Sequence, residues 1–302
     1  MLSDGMWSIG ELAEHAGVTV KTVRFYSDRG LLPEAVRSSG GHRRYGPEAL
    51  DRLRLIRSLR GLDLPVPDVG RVLEQEDALE DVIAGQLREL GSQLAALRWR
   101  EAALQLLQDC TPAERADRLR LIGGVTTPPS TAPLARFWRG WLPARLPARV
   151  VSSIIELAVP QPPSDPTPAQ VLAFARLHAF VSTPCPGVDQ PQPAIHQPDK
   201  GYRPALVYEG LLEAYALASA HMRAQRAPHE GEALDCFVSV YAQSCGTRDT
   251  PAFRRRLSGQ LAADPRLDHY WQLTAEVTAS TEPTPGAAHD WLCAALDAQT
   301  AP

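Results

Sequence analysis

No CxxC pair occurs in this chain, and its five cysteines (110, 185, 236, 245 and 293) are odd in number and widely spread. That arithmetic excludes a disulfide framework and leaves free thiols in a reducing compartment as the default. A bilayer span needs about 18 uncharged apolar residues in a row. The longest candidate, Val150–Val159, is short and contains Glu156. The opening Met1-Leu2-Ser3-Asp4-Gly5 lacks the basic and then apolar pattern of a signal peptide, so a cytoplasmic protein with no membrane partner is expected. The C-terminal two thirds hold no Gly-rich phosphate loop, GxSxG, HExxH or DxHxxG, and no acid and base stand out as a pair. An enzyme is therefore not expected, and no cofactor is implied. Lysine is nearly missing: only Lys21 and Lys200 among 31 cations. Arginine-rich coding from a GC-rich genome accounts for that without any chemistry.

What is present is ordinary in bulk and uneven in placement. The 302 residues are 44% apolar and 22% charged, which fits two or three globular domains. The net charge of −4 hides a local excess, since residues 20–60 carry ten Lys/Arg against four Asp/Glu. Residues 77–110 lean the other way, with three basic and six acidic groups. A basic N-terminal segment on an acidic chain suggests a polyanion-binding module joined to something else. Four prolines fall in residues 1–110 and 23 in the rest. They cluster at 128–147, 160–168 and Pro184–Pro204, which read as connections between helices.

Three units follow from pattern: residues 1–76, 77–110 and 111–302. In the first, Ser8 and Glu11 have capping-box spacing ahead of Ile9, Leu12, Ala13 and Ala16 on one helical face. Gly17 stops that helix and Thr19 caps a second, with Val20, Val23 and Phe25 read as facing inward. Two short helices joined at Gly17-Val18 make a helix-turn-helix candidate. Arg37 to Tyr45 then has a Gly40-Gly41 tip flanked by basic residues, as a β-wing requires. Pro47 opens a helix with Leu50, Leu53, Ile56 and Leu59 inward, its arginines outward, Arg57 and Arg60 being candidates for flanking phosphates.

In the second unit Ile83, Leu87, Leu90, Leu94, Leu97 and Leu104 follow 3-4 spacing, which argues for a coiled coil and hence a homodimer. The third unit reads as all-helical, with helices over 130–142, 145–159, 166–182, 202–226, 228–245, 250–263, 265–281 and 286–298. The expected fold class is mainly α: a winged helix-turn-helix with a small wing, a long dimerisation helix and a helical C-terminal domain.

Taken together these motifs resemble the MerR (mercury-resistance regulator) family of transcription factors. The resemblance rests on Trp7-Ser8-Ile9-Gly10-Glu11-Leu12-Ala13, on Gly17 through Tyr26, on Gly30-Leu31-Leu32-Pro33, and on Gly41-His42-Arg43-Arg44-Tyr45. The spacing Leu50-x-x-Leu53-x-x-Ile56 continues it, over residues 6 to about 108. It implies an antiparallel coiled-coil homodimer on a pseudo-palindromic double-stranded promoter with an overlong spacer. It also implies that an effector makes the dimer distort the DNA, so that RNA polymerase is a partner only indirectly.

On that resemblance Thr19, Lys21, Thr22, Arg24 and Tyr26 are expected at the major groove, and His42, Arg43, Arg44 and Tyr45 along the wing, where Tyr45 also reads as a packing anchor with its hydroxyl at the backbone. Phe25 stands where the family usually has Tyr. Metal sensing is not expected, because the thiolate pair it needs is missing after the long helix. Cys110 reads as an inert thiol, with a cross-dimer Cys110 pair or a Cys185–His196 constellation as alternatives. In the C-terminal domain Phe137, Trp138, Trp141, Tyr208 and Tyr215 could line a pocket for a small organic ligand, apolar or cationic, with Glu209 or Glu213 nearby. Core packing is the competing reading. The functional alternative is a ligand-independent regulator whose C-terminal domain is a protein-interaction module.

Overall fold

In the computed structural model, which describes residues 6–75, 77–143, 146–182, 202–261 and 265–301, Ser8 starts the first helix as its spacing predicts. Strand β1 (Trp7–Ser8) leads into α1 (Ile9–Ala16). The Ser8 amide donates to the Glu11 carboxylate at 2.7 Å, and the Glu11 amide donates to Ser8 Oγ at 3.3 Å. Those bonds hold the Glu11 carboxyl below its ordinary pKa. Gly17 ends α1 at φ +64°, a conformation that a side chain resists. Thr19 then caps α2 (Val20–Asp28), its Oγ1 accepting from the Thr22 amide at 3.1 Å.

The wing forms from β2 (Val36–Arg37) and β3 (Arg43–Tyr45), turned at Gly41 with φ +78°. The Gly41 amide donates to the Ser38 carbonyl at 2.8 Å. β1 pairs with the far side of β3, so the sheet order is β1-β3-β2, all antiparallel. Sequence reading missed this third strand because two residues cannot display an alternation. Helices α3 (Pro47–Gly61) and α4 (Val66–Glu74) complete the unit. Leu12, Val23, Tyr45, Leu53 and Ile56 are fully buried in its core. Val20 and Phe25, both expected inward, are 40% and 41% exposed, since Val23 and Tyr26 occupy the buried face of α2.

Helix α5 (Ala78–Gln108) runs unbroken for 31 residues. The chain divides into two compact units, Met1–Ser92 and Gln93–Pro302, so the division falls inside α5. Ile83, Leu87, Leu90, Leu94, Leu97 and Leu104 are 41–68% exposed along it. Another face of the same helix buries Trp99, Ala102, Ala103 and Leu106 in the second unit.

The second unit is helical among the described residues. After α6 (Pro112–Gly123), which pattern reading did not foresee, come α7 (Ala132–Trp141), α8 (Ala148–Ala158), α9 (Pro168–Ser182) and α10 (Pro204–Arg223). α11 (Glu232–Ser244), α12 (Pro251–Gln260), α13 (Pro265–Thr278) and α14 (Pro285–Thr300) follow. Each of the eight expected helices is found, most of them trimmed at the ends, as at the capping Thr250, while α14 runs past its expected bounds at both ends. The Pro184–Pro204 connection lies mostly outside the described residues. Two cores form. One joins the C-terminal half of α5 to α7, α8, α9 and α13. The other joins α10, α11, α12 and α14.

Candidate nucleic-acid interface and an aromatic cavity

The outward face of α2 presents Lys21, Arg24, Phe25 and Arg29, all exposed. Lys21 and Arg24 have no ion pair among the described residues. Phe25 is 41% exposed, edge-on to Tyr26 at 5.3 Å, with the Arg29 guanidinium 4.2 Å above its centroid. Thr19 and Thr22 are engaged with each other, Oγ1 to Oγ1 at 2.8 Å, so their role at this face begins with capping. Ser8, Ile9 and Gly10, with Arg24, Asp28 and wing residues Ser38 and Gly41 to Arg44, bound an open groove of about 670 Å³. Its open shape and mixed polarity suit a sugar-phosphate strand rather than an enclosed small molecule.

Two residues expected at the DNA face are placed elsewhere. Tyr26 is buried against the module's core. Tyr45 is fully buried, and its hydroxyl donates to Ser27 Oγ at 2.9 Å. A phenol is apolar over most of its surface and needs only one acceptor to be buried, which Ser27 gives Tyr45. Arg43 does not reach freely into solvent either. It donates to Asp28 at 2.6 Å and Ser27 Oγ at 3.0 Å, and pairs with Glu34 at 3.1 Å. The Asp28 hydrogen bond raises its already high pKa. Arg43 therefore braces the wing against α2. Arg44 keeps only a loose 3.8 Å pairing with Glu11, and His42 is exposed at the tip. On α3, Arg52 donates to the Leu31 carbonyl at 2.7 Å. Arg57 and Arg60 donate to the carbonyls of Ala16 and Leu64. Those bonds give Arg57 and Arg60 a structural role, whatever they do at flanking phosphates.

In the second unit, four of the five aromatics singled out from sequence converge. Trp138 and Trp141 of α7 and Tyr208 and Tyr215 of α10 line a cavity of about 140 Å³. It sits where the two helical cores meet, with Trp271 of α13, Tyr241 of α11 and Gly286 of α14 completing the walls. Trp138 packs against Trp141, Tyr270 and Trp271 at 5.3–5.5 Å. Phe137 does not line the cavity. It stacks on Tyr270 at 5.7 Å in the core behind it.

The polar side of the cavity was not foreseen. Glu209 is exposed and ion-paired with Arg149 at 2.7 Å, and neither it nor Glu213 reaches the lining. Exposed Asp268 and Asp290 form its acidic rim instead. Partial burial, and then the Asp268 charge, raise the Asp290 carboxyl above its ordinary pKa. His289 meets the Tyr215 hydroxyl at 3.0 Å, and burial lowers its pKa to about 4, so the imidazole is neutral at pH 7. No Lys or Arg stands among the described lining residues. Because the lining comes from six helices and the end of α12, no local spacing could have announced it. Cys110 is buried and its thiol donates to the Leu107 carbonyl at 3.2 Å, while the Cys185–His196 pairing lies outside the described residues. No helix of the described residues is long and apolar enough to cross a membrane.

Comparison with known proteins places these features in context. The model of the MerR HTH family regulatory protein matches residues 7–76. The nodulation protein NolA of Bradyrhizobium elkanii is 39% identical over 89 residues, 30% of this chain and 41% of that protein. The HTH-type transcriptional activator TipA of Streptomyces coelicolor is 33% identical over 117 residues, 36% of this chain and 46% of its own length. The HTH-type transcriptional regulator ZntR homolog of Haemophilus influenzae is 31% identical over 121 residues, 38% of this chain and 90% of its own length. The chain spans only 38–41% of the NolA proteins it matches.

Proposed function

This chain belongs to the MerR family of helix-turn-helix regulators, and on that premise we propose that it acts as a homodimer which distorts a pseudo-palindromic promoter under control of a compact organic ligand. It is a DNA-binding transcriptional regulator rather than an enzyme. Lys21, Arg24, Arg44 and His42 are the side chains that reach DNA. Arg43, Tyr45 and Tyr26 hold the wing and α2 in place behind them.

One observation carries the regulatory part. Helix α5 offers exposed Leu94, Leu97 and Leu104 on one face and buries Trp99, Ala102 and Leu106 on another. Those buried residues belong to the same core as Trp138. A ligand that repacks the cavity wall therefore bears on the helix that joins two protomers, as differential binding to two dimer states requires.

The cavity sets the class of ligand. Drug-sized sites begin near 300 Å³, while a cavity of about 150 Å³ takes benzene. At about 140 Å³ the occupant is a single ring or a short branched chain. Aromatic walls and a rim of two carboxylates favour a neutral or cationic ligand over an anion. The protein-interaction alternative is less well supported. Among the described residues after 110, the exposed large apolar side chains are Leu119 and Leu157, too few for a docking patch.

The experiment is to titrate full-length protein with monocyclic aromatics, aromatic amines and small alkylammonium ions. Thermal unfolding, tryptophan fluorescence and promoter affinity are followed together. A ligand should raise the melting temperature, change the fluorescence and alter DNA affinity. If no compound does any of these, the ligand-independent reading takes its place.

A further inference from the structure

Phe25 is a large apolar side chain held outward on a face that is otherwise cationic. Lys21 lies one turn before it, Arg24 directly before it and Arg29 one turn after it, all exposed. The ring is not adrift: Tyr26 meets it edge-on at 71°, and the Arg29 guanidinium covers one face at 4.2 Å. The rest of the ring is open to water and gains by burying its area against an apolar partner. On the edges of base pairs in the major groove, the one apolar group is the C5-methyl of thymine.

We propose that Phe25, braced by Arg29, packs against a thymine methyl in each half-site and so specifies a T·A pair there. Arg24 supplies the hydrogen-bonding contact beside it. The assignment rests on the DNA-binding reading of α2. It goes beyond that reading by naming the base and the group on it. A phenylalanine has no hydroxyl to offer a phosphate, so its contribution at this position is contact with a methyl surface.

The test begins by selecting a tight duplex from a random-sequence library with the full-length wild-type protein. Failure to select any duplex would overturn the DNA-binding reading itself. Each thymine of the selected duplex is then replaced singly by deoxyuridine, which deletes the methyl and keeps the pairing. Titrations are run at low salt, where phosphate contacts keep a weakened variant measurable. At one thymine in each half-site, uridine should weaken wild-type binding by about fourfold, the loss of one buried methyl group. Phe25→Ala should be indifferent to that same replacement, while Arg24→Ala remains sensitive to it. If Phe25→Ala and wild type give the same uridine profile, or if no uridine affects the wild type, the assignment is overturned.

Discussion

His289 makes acid pH a probe of how dry the cavity wall is. Its Nδ1 meets the Tyr215 hydroxyl at 3.0 Å, and Phe237 and Tyr215 pack edge-on against the ring at 5.6 and 6.0 Å. Burial lowers its pKa from 6.5 to about 4. Between those values the unfolded chain binds a proton that the folded chain refuses. The contribution to stability is thus complete above 6.5 and lost as pH falls toward 4, by about 1.4 kcal/mol per pH unit. From about pH 7 to about pH 4.5 the loss comes to roughly 2.5 kcal/mol. His178, also lowered by burial, acts with the same sign, while the raised Asp290 acts oppositely. A comparison with His289→Gln cancels both, because glutamine does not titrate and can still accept from Tyr215. Urea unfolding followed by tryptophan fluorescence is the assay, since five of the six tryptophans (99, 138, 141, 271 and 291) lie in the second unit. The wild type should lose stability relative to His289→Gln as pH falls. Parallel curves for the two proteins would refute a desolvated His289, and with it the dry cavity wall.

Other perturbations separate the remaining roles. Leu90→Glu with Leu97→Glu should give a species sedimenting as a single chain that no longer binds promoter DNA, because carboxylates cannot be buried in a leucine seam; a variant that stays dimeric places the interface elsewhere. Arg24→Ala should weaken operator binding by about 1–3 kcal/mol and relax base preference, whereas Arg44→Ala should weaken all sequences alike, and competition binding would expose a reversal of those roles. Arg43→Ala removes the contacts to Asp28, Ser27 and Glu34, so it should lower the melting temperature of the first unit as well as DNA affinity. At Gly286 an added Cβ would lie 2.1–2.8 Å from Trp271, so Gly286→Ala should cost on the order of 1–3 kcal/mol by overpacking and abolish the fluorescence response to ligand; an unchanged response would move the ligand site away from this wall.

Sequence pattern disclosed the DNA-binding module because its instructions are local. Ser8 with Glu11, Gly17, Thr19 and Gly41 each act within about four residues, through caps and turns. The leucine spacing of α5 was equally plain, but it concealed the second face of that helix, where Trp99 leads a different set inward. Tyr26 was misplaced, and Tyr45 was left between two readings, because a phenol suits a DNA face and a core alike. What seats Tyr45 in the core is an acceptor, Ser27, distant from it in sequence. In the C-terminal unit the helices were legible from their Pro and Thr starts. Four residues of the aromatic wall, without Tyr241 and Trp271, were named from clusters on α7 and α10. The acidic rim and His289 were not, since α13 and α14 meet those helices only in three dimensions.

The arginines of α3 have a kinetic meaning beyond their structural one. Arg52, Arg57 and Arg60 commit donors to main-chain carbonyls, yet each keeps its full positive charge, which a carbonyl dipole does not cancel. Held back by those bonds, they are expected to add less to the salt dependence of the equilibrium than cations that close fully on phosphates. Their field nevertheless extends about 10 Å into solvent at moderate ionic strength and draws DNA toward the module. On the proposed DNA-binding reading, the basic segment thus carries two populations of charge: one that accelerates encounter, and another, including Lys21 and Arg24, that sets how tightly the complex is held once formed.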